Sequence, residues 1–360
     1  MNDDQTLIQG DQLIEDYRRY TARKVTFIVI LLIVAIVSAG YTMTVGIRDM
    51  GLFESFSILF DHIRGATYEI GSEAWLDDYT IWNLRLPRVL AAVFVGMGLT
   101  ISGVAMQSIT ANPLAEPYTV GMSSGASFGV AVALVLGFSF GTMAGSYGMV
   151  LNAFVFGSIP AVLAIAITGF RKQSPATIIL VGTAVSYIFN AMSTLVLMRA
   201  DPATLQRIML WQIGTVAEVG WYELPLIMAT VVVGSILMMI LSKKMNMLSV
   251  GGESAKTMGV DVNTLRIIIL AILTVVTAVI VSFTGIIGFL GLVAPHIMRL
   301  VIGGDNRFII PAAGLFGATF LLVADAIARY AGDMPVGVVM SFIGAPMFLY
   351  LVMRMRRDVW

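Results

Sequence analysis

The sequence is dominated by long stretches that contain no aspartate, glutamate, lysine or arginine. A helix that crosses a bilayer needs about 20 predominantly apolar residues, and its backbone polar groups must be satisfied within the segment. Hydrophobic residues make up 58% of the chain and charged residues 12%, about half the charged share of a soluble domain. We therefore predict an all-α polytopic membrane protein. The stretches are Val25–Ile47, Val89–Ala115, Pro117–Phe170, Gln173–Met198, Leu224–Ser242, Ile267–Met298, Phe308–Val323 and Met334–Met353.

Two of these stretches are too long for a single span. Pro117–Phe170 is predicted to hold two spans with a turn near Gly137–Gly145, and Ile267–Met298 is predicted to break near Gly285. The chain would then cross the membrane about ten times. The segment Pro202–Val216 is amphipathic and only moderately apolar, so it predicts a short helix at the membrane face.

The positions of lysine and arginine indicate the orientation of the chain. Positive residues collect on the cytoplasmic side of membrane proteins. With a cytoplasmic N-terminus, fifteen lysines and arginines fall inside and seven outside. We therefore expect a protein of the cytoplasmic membrane with both termini inside, a tail over residues 1–24 and a ten-helix domain over residues 25–357. The first stretch is longer than the apolar core of a signal peptide and is interpreted as a retained span.

Residues that could carry catalysis or hold a metal are sparse. The chain has no cysteine and only two histidines, His62 and His296, which the predicted topology places on opposite sides of the membrane. A phosphate-binding loop of the G-x-x-x-x-G-K-[ST] type does not occur. The formal net charge is zero, which gives no indication of nucleic-acid binding. We predict no catalytic residue and no metal site, and a membrane-embedded enzyme is kept only as an alternative.

Asp325 is nearly the only ionisable residue within a predicted span. Arg329 follows it by four residues, so the two side chains can meet across one helical turn. This spacing fits a local ion pair, and it also fits a proton relay in an ion-coupled transporter. We favour the ion pair, because other intramembrane carboxylates are scarce.

Two polar surfaces outside the spans stand out. Arg85 and Arg88 precede the second stretch, and they could receive carboxylates from a partner or anchor the helix to lipid phosphates. The segment Lys243–Arg266 holds a polar helix-forming run between glycines. This run could lie against a soluble partner or be an ordinary solvated loop.

Several motifs together resemble the permease subunits of ABC importers for iron–siderophores, vitamin B12 and haem, the FecCD-like type II importers. They occur in the family's order from the second span to the last, and they are specific when taken jointly. The motifs are Arg85-Leu86-Pro87-Arg88, Asn112-Pro113-Leu114-Ala115-Glu116-Pro117, Gly285–Arg299, Asp325 with Arg329, and Pro335–Phe348.

The resemblance implies a vitamin B12 permease-like fold that pairs with a second copy of itself around a central path. It also implies two ATPase subunits, which would hold ATP and magnesium, and an extracytoplasmic substrate-binding protein. No cofactor is expected in this chain itself. Arg85, Arg88 and Arg329 match the positions that receive glutamates of the binding protein. The tail before Lys24 matches no motif of the family.

The resemblance also assigns the cytoplasmic contacts. Residues 243–266 match the family's coupling segment, which docks on the ATPase. Its predicted contact residues are Gly252, Glu253, Ser254, Ala255, Lys256, Met258, Gly259 and Val260. The predicted cytoplasmic gate is Ser174, Pro175, Ala176 and Thr177. Here the family has small polar residues, and Pro175 and Ala176 depart from that pattern.

On this resemblance, the chain is expected to be an importer permease that moves a metal chelate by alternating access. A ferric siderophore ranks first as substrate, followed by a corrinoid and then haem. An ion-coupled secondary transporter is the alternative from another class.

Overall fold

The computed structural model describes residues 3–140, 146–170, 175–249 and 251–354, and every regular element within these ranges is helical. Two short turns are not α-helical: a π-helical turn over Thr80–Arg85 and a 3₁₀ turn over Pro117–Val120. The helices are α1 Asp3–Thr42, α2 Leu52–Ile63, α3 Glu73–Tyr79, α4 Leu86–Thr110, α5 Met122–Leu136, α6 Ser146–Phe170, α7 Pro175–Leu197, α8 Pro202–Ile213, α9 Leu224–Ser249, α10 Gly252–Thr257, α11 Val262–Thr284, α12 Leu290–Ile302, α13 Asn306–Tyr330 and α14 Val336–Arg354.

The apolar helices agree with the predicted spans. Among the described residues, eight helices are long and apolar enough to cross a membrane, and α5 and α12 are shorter apolar helices. Both long stretches divide where the sequence predicts, between α5 and α6 and between α11 and α12. The prediction of an all-α polytopic membrane protein is therefore confirmed. Helix α8 is the short helix predicted within Pro202–Val216, and α10 lies in the polar helix-forming run predicted between glycines.

Local chemistry explains where several helices begin and end. Asp201, Asp261 and Asp305 accept hydrogen bonds from backbone N–H groups at the starts of α8, α11 and α13, as N-cap residues commonly do. α11 ends at Gly285, which has a φ of 70°. Glycine adopts this left-handed region without the steric cost that a Cβ imposes.

Helix α4 lies at the centre of the bundle, where it packs against α9, α11, α12 and α13. Its approach to α13 depends on glycine, because a Cβ placed on Gly96 would lie 2.5 Å from the carbonyl oxygen of Gly317. Small residues at such crossings let helix backbones pack closely inside a membrane. In contrast, α1 packs mainly on α13 and leaves many large apolar side chains exposed.

Contacts between helix ends define two ends of the bundle. The α2 end holds α2, α3 and the start of α4, and there Arg329 of α13 bonds to the last residues of α1. The α10 end holds α10, the end of α9 and the start of α13, which are joined by Asn246 and Asp305. Helix α4 reaches this end through Ser108, which bonds to Asn306.

Candidate functional site

Asp325 joins two helices at the α2 end. Its side chain is fully buried, and Arg329 Nη2 lies 2.5 Å from Asp325 Oδ2. Arg88 Nη2 lies 2.9 Å from Asp325 Oδ1. The pair predicted one turn apart is thus present, and the structure adds a second partner from α4. A buried carboxylate with two guanidinium partners fixes α4 against α13.

Arg85 and Arg329 also bind the end of α1. The last carbonyl groups of a helix lack partners within the helix, and positive groups there interact favourably with the helix dipole. Nη1 of each arginine donates to two backbone carbonyl oxygens at distances of 2.9 to 3.1 Å. The acceptors are Thr42, Met43, Thr44 and Val45.

Arg88 has a second, exposed partner. Its Nη1 lies 2.8 Å from Oδ1 of Asp333, whose side chain is 51% exposed in the turn between α13 and α14. By contrast, Arg85 is only 4% exposed. We call Arg85, Arg88, Asp325, Arg329 and Asp333 the arginine cluster. The three predicted docking residues therefore lie together, but this structure engages them within the chain, and their contact with a partner stays a prediction.

A cavity of about 680 Å³ opens at the α2 end, next to the arginine cluster. Asp333 and Pro335 contribute to its wall, so the turn that pairs with Arg88 also borders the cavity. Tyr147 donates from its hydroxyl to Glu223 Oε1 at 3.3 Å across this region. Sequence reasoning missed the cavity, because its walls come from α5, α6, α8 and α11. The charged and aromatic lining residues include Tyr147, Arg207, Trp211, Glu218, Glu223 and Asp333.

At the α10 end, α10 presents a charged face. Lys256 Nζ lies 2.5 Å from Glu253 Oε1, and both side chains are more than half exposed. This hydrogen bond lowers the pKa of the Glu253 carboxyl. Met258 is 49% exposed. These three residues are accessible to a partner, as their predicted role requires.

Ala255 differs from the prediction that it contacts a partner. It is 0% exposed and belongs to the hydrophobic core of this chain, against which Val260 also packs. The reason is helical periodicity, since in a single turn one position must face the bundle while its neighbours face away. Ala255 therefore anchors α10 on the bundle instead of offering a contact surface.

The predicted gate falls at the start of α7. Ser174 lies outside the described residues, and Pro175 is the first residue of the helix. Ala176 is exposed and Thr177 is half-buried. Their function as a gate stays a prediction.

The end of α9 is bonded to the start of α13. Asn246 Nδ2 donates to Asp305 Oδ1 at 2.7 Å, and the backbone N–H of Asn306 donates to Asn246 Oδ1 at 2.7 Å. Arg307 Nη2 lies 2.6 Å from Asp305 Oδ2. Burial alone would raise the pKa of Asp305, but hydrogen bonds from Arg307 and Asn246 lower it to about 2. Asn246 and Asp305 are 59 positions apart, so sequence reasoning missed this contact.

Known proteins match this chain over most of its length. The model of the FecCD transport family matches residues 29–354. A Methanocaldococcus jannaschii protein assigned as an ABC transporter permease is 36% identical over 356 residues, covering 96% of this chain and 99% of that protein. The cobalamin import system permease protein BtuC of Halobacterium salinarum is 38% identical over 274 residues, covering 76% and 73% of the two chains. The iron(3+)-hydroxamate import system permease protein FhuB of Bacillus subtilis is 38% identical over 284 residues, covering 78% and 72%.

A solved structure also matches this fold. It is an inward-facing conformation of an ABC transporter assigned to the metal-chelate type, with a TM-score of 0.77 and 28% sequence identity. The match covers 92% of this chain and all of the other. The resemblance inferred from the motifs is thus confirmed by sequence and by structure. This chain belongs to the FecCD transport family.

Proposed function

We propose that this chain is the permease subunit of a type II ABC importer and that it moves a metal chelate across the cytoplasmic membrane by alternating access. The observation that carries the proposal is the match of 92% of this chain to a transporter of the metal-chelate type. ATP hydrolysis then belongs to a separate subunit, and this chain is not itself an enzyme.

The ATPase subunits are proposed to dock on α10, so that the α10 end faces the cytoplasm. Three features support this orientation. Glu253 and Lys256 are exposed there. Helix α1 enters at this end, where Lys24 Nζ lies 4.9 Å from the Phe308 ring centroid. Helix α14 returns to it, since its residue Phe348 lies in the wall of the same small cavity as Pro113. The described ends of α1 and α14 thus lie near the α10 end, and the distribution of lysine and arginine predicts cytoplasmic termini.

The substrate-binding protein is proposed to dock at the α2 end on the arginine cluster. Arg88 is the arginine best placed for this contact, because its Nη1 already pairs with the exposed carboxylate of Asp333. A glutamate from the binding protein would offer the same chemical group. Arg85 and Arg329 would support the site from behind by fixing the end of α1.

A homodimer around a central path is proposed from the apolar surfaces. Helices α7 and α14 carry large apolar side chains that are mostly exposed in the single chain, among them Tyr187 at 73% and Phe342 at 78%. A second copy or lipid would cover such surfaces. The gate residues Ala176 and Thr177 begin one of these helices.

The substrate is proposed to be a ferric siderophore, with a corrinoid and then haem as the next candidates. Sequence identity does not separate the first two, since the cobalamin and iron-hydroxamate relatives are both 38% identical to this chain. An ion-coupled transporter is less well supported, because the buried carboxylate of Asp325 is engaged by two arginines.

Two measurements test this proposal. The partner ATPase should co-purify with the wild-type chain, and charge reversal at Glu253 or Lys256 should abolish the association. If both reversed variants retain the ATPase at wild-type levels, docking on α10 is wrong. A binding screen of the partner binding protein against ferric siderophores, corrinoids and haem would identify the substrate class.

A further inference from the structure

The contact between α9 and α13 at the α10 end has a donor and an acceptor in one side chain. Asn246 donates through Nδ2 to Asp305 and accepts through Oδ1 from the Asn306 backbone, both at 2.7 Å. We call Asn246, Asp305, Asn306 and Arg307 the α9–α13 junction. A leucine at position 246 could make neither bond, and an aspartate could only accept.

The junction continues into the centre of the bundle. Asn306 is fully buried, and its Oδ1 lies 3.2 Å from Ser108 Oγ on α4. The one hydroxyl hydrogen of Ser108 is shared between Asn306 Oδ1 and the carbonyl oxygen of Val104, at 2.9 Å. Ser108 in turn accepts from Arg299 Nη2 of α12 at 3.4 Å. A polar path therefore runs from α9 through α13 to α4 and α12. Hydrogen bonds between buried polar groups are electrostatically stronger than those in water.

The junction also lies next to α10. Asn246 is six positions before Gly252, where α10 begins. Its neighbour Met245 is fully buried in the same core cluster as Ala255 of α10. Gly251 has a φ of 118° and Gly259 a φ of 81°, so glycines delimit the short helix on both sides. A displacement of α10 would therefore reach the end of α9 through this packing, and α13 through the two bonds of Asn246.

We propose that Asn246 is a positioning residue that couples movement of α10 to α13, and so to the helices that surround the transport path. This inference rests on the proposed function, in which α10 receives the motion of the ATPase. In this proposal Asn246 acts through Asp305 and Asn306 and not by contact with ATP or substrate. Its loss should leave the ATPase docked and active but disconnect hydrolysis from transport.

An exchange of donor and acceptor tests the role of Asn246. In Asn246→Asp the new carboxylate faces that of Asp305, and the donated hydrogen bond is lost. In the double variant Asn246→Asp/Asp305→Asn, the amide introduced at position 305 can donate to the carboxylate introduced at position 246. That carboxylate can still accept from the Asn306 backbone. The single variant should lose the coupling of ATP hydrolysis to transport, and the double variant should recover it. The matched control is Asn112→Asp, the same change at a half-buried position just after α4, near the same end. There the side chain accepts a hydrogen bond from the Leu114 backbone N–H, which an aspartate can also accept.

The measurement is the amount of chelate taken up per ATP hydrolysed by the complete importer in proteoliposomes. We expect Asn246→Asp to lower this ratio about tenfold, as the loss of one charge-assisted hydrogen bond allows, while ATP hydrolysis stays near the wild-type rate. The double variant should regain most of the ratio, and Asn112→Asp should not change it.

Two results would overturn the inference while leaving the proposed function intact. One is a wild-type ratio in Asn246→Asp. The other is a parallel loss of hydrolysis and uptake that the double variant does not restore, since that pattern indicates a purely structural role. If the wild-type complex itself takes up no chelate with ATP, both the proposed function and this inference are wrong.

Discussion

Arg88 Nη1 lies 2.8 Å from Oδ1 of Asp333, so an exposed carboxylate of the chain itself pairs with the arginine that we propose as the contact of the binding protein. The same turn contributes Asp333 and Pro335 to the wall of the cavity at the α2 end. If a carboxylate of the partner took the place of Asp333 at Arg88, the turn that carries Asp333 would be released beside the cavity. Asp333 would then link docking of the binding protein to opening of the cavity.

The first prediction concerns this exchange. Asp333→Asn removes the internal competitor for Arg88, so the binding protein should bind about two- to fivefold more tightly, the range expected for an exposed ion pair. The gain should shrink at high salt, which screens exposed charges. Binding of the purified binding protein to the permease in nanodiscs measures this. Glu218→Gln is the control, since Glu218 is an exposed acid lining the same cavity. Equal affinities of Asp333→Asn and the wild type would rule out competition at Arg88.

The second prediction concerns the buried member of the arginine cluster. Asp325→Asn would remove the fully buried carboxylate that Arg88 and Arg329 share. Arg329 would lose its carboxylate partner, and Arg88 would keep only the exposed Asp333. Breaking a buried pair of this kind costs about 3–5 kcal/mol. Thermal unfolding in detergent should show a large loss of stability for Asp325→Asn. The loss of stability should be small for Asp333→Asn in the same cluster. Similar losses for the two variants would contradict the role assigned to Asp325.

The third prediction concerns the crossing of α4 and α13. A Cβ at Gly96 would lie 2.5 Å from a backbone oxygen of Gly317, and backbone cannot move aside as a side chain can. Gly96→Ala should therefore destabilise the protein by about 1–3 kcal/mol, as overpacking does. Gly288→Ala is the matched control, because no atom lies within 4 Å of the Cβ it would add. If Gly96→Ala unfolds at the wild-type temperature, this crossing does not depend on close packing.

The fourth prediction concerns pH. Asp305 has a pKa of about 2 in the folded chain, below its ordinary value of 3.8. Because the folded-state pKa is the lower one, its contribution to stability is present above pH 3.8 and is lost as the pH falls towards 2. The carboxylate is partly open to water, so we expect about 1 kcal/mol.

Unfolding of the wild type and Asp305→Asn, measured between neutral pH and the acid range, tests this. The difference in stability between the two should shrink as the pH falls through that window. A difference that stays constant down to the lowest pH would show that the charge of Asp305 does not stabilise the fold.

The sequence predicts the parts of this structure that depend on local pattern. Charge-free stretches of sufficient length can only be spans, and Gly285 marks the break between α11 and α12. The spacing of Asp325 and Arg329 predicts their pairing, because residues four apart meet on one helical face. Each of these predictions needs only neighbouring residues.

Other features depend on how distant helices are placed. Arg88 and Asp325 are 237 positions apart, and Arg85 bonds to a carbonyl 42 positions before it, at the end of α1. Burial of Ala255 likewise depends on which face of α10 meets the bundle. Asn246 lies within the predicted coupling segment, but no sequence pattern pairs it with Asp305, 59 positions away. These contacts become visible only once the helices are packed.

The central claim is that this chain transports only as part of an ATP-driven importer. The most direct test is chelate uptake into proteoliposomes that contain this chain with its ATPase, supplied with the loaded binding protein. We predict uptake that requires ATP, an ATPase able to hydrolyse it and the binding protein, and that is insensitive to dissipation of ion gradients. Uptake by this chain alone, driven by an ion gradient and independent of ATP, would contradict the account.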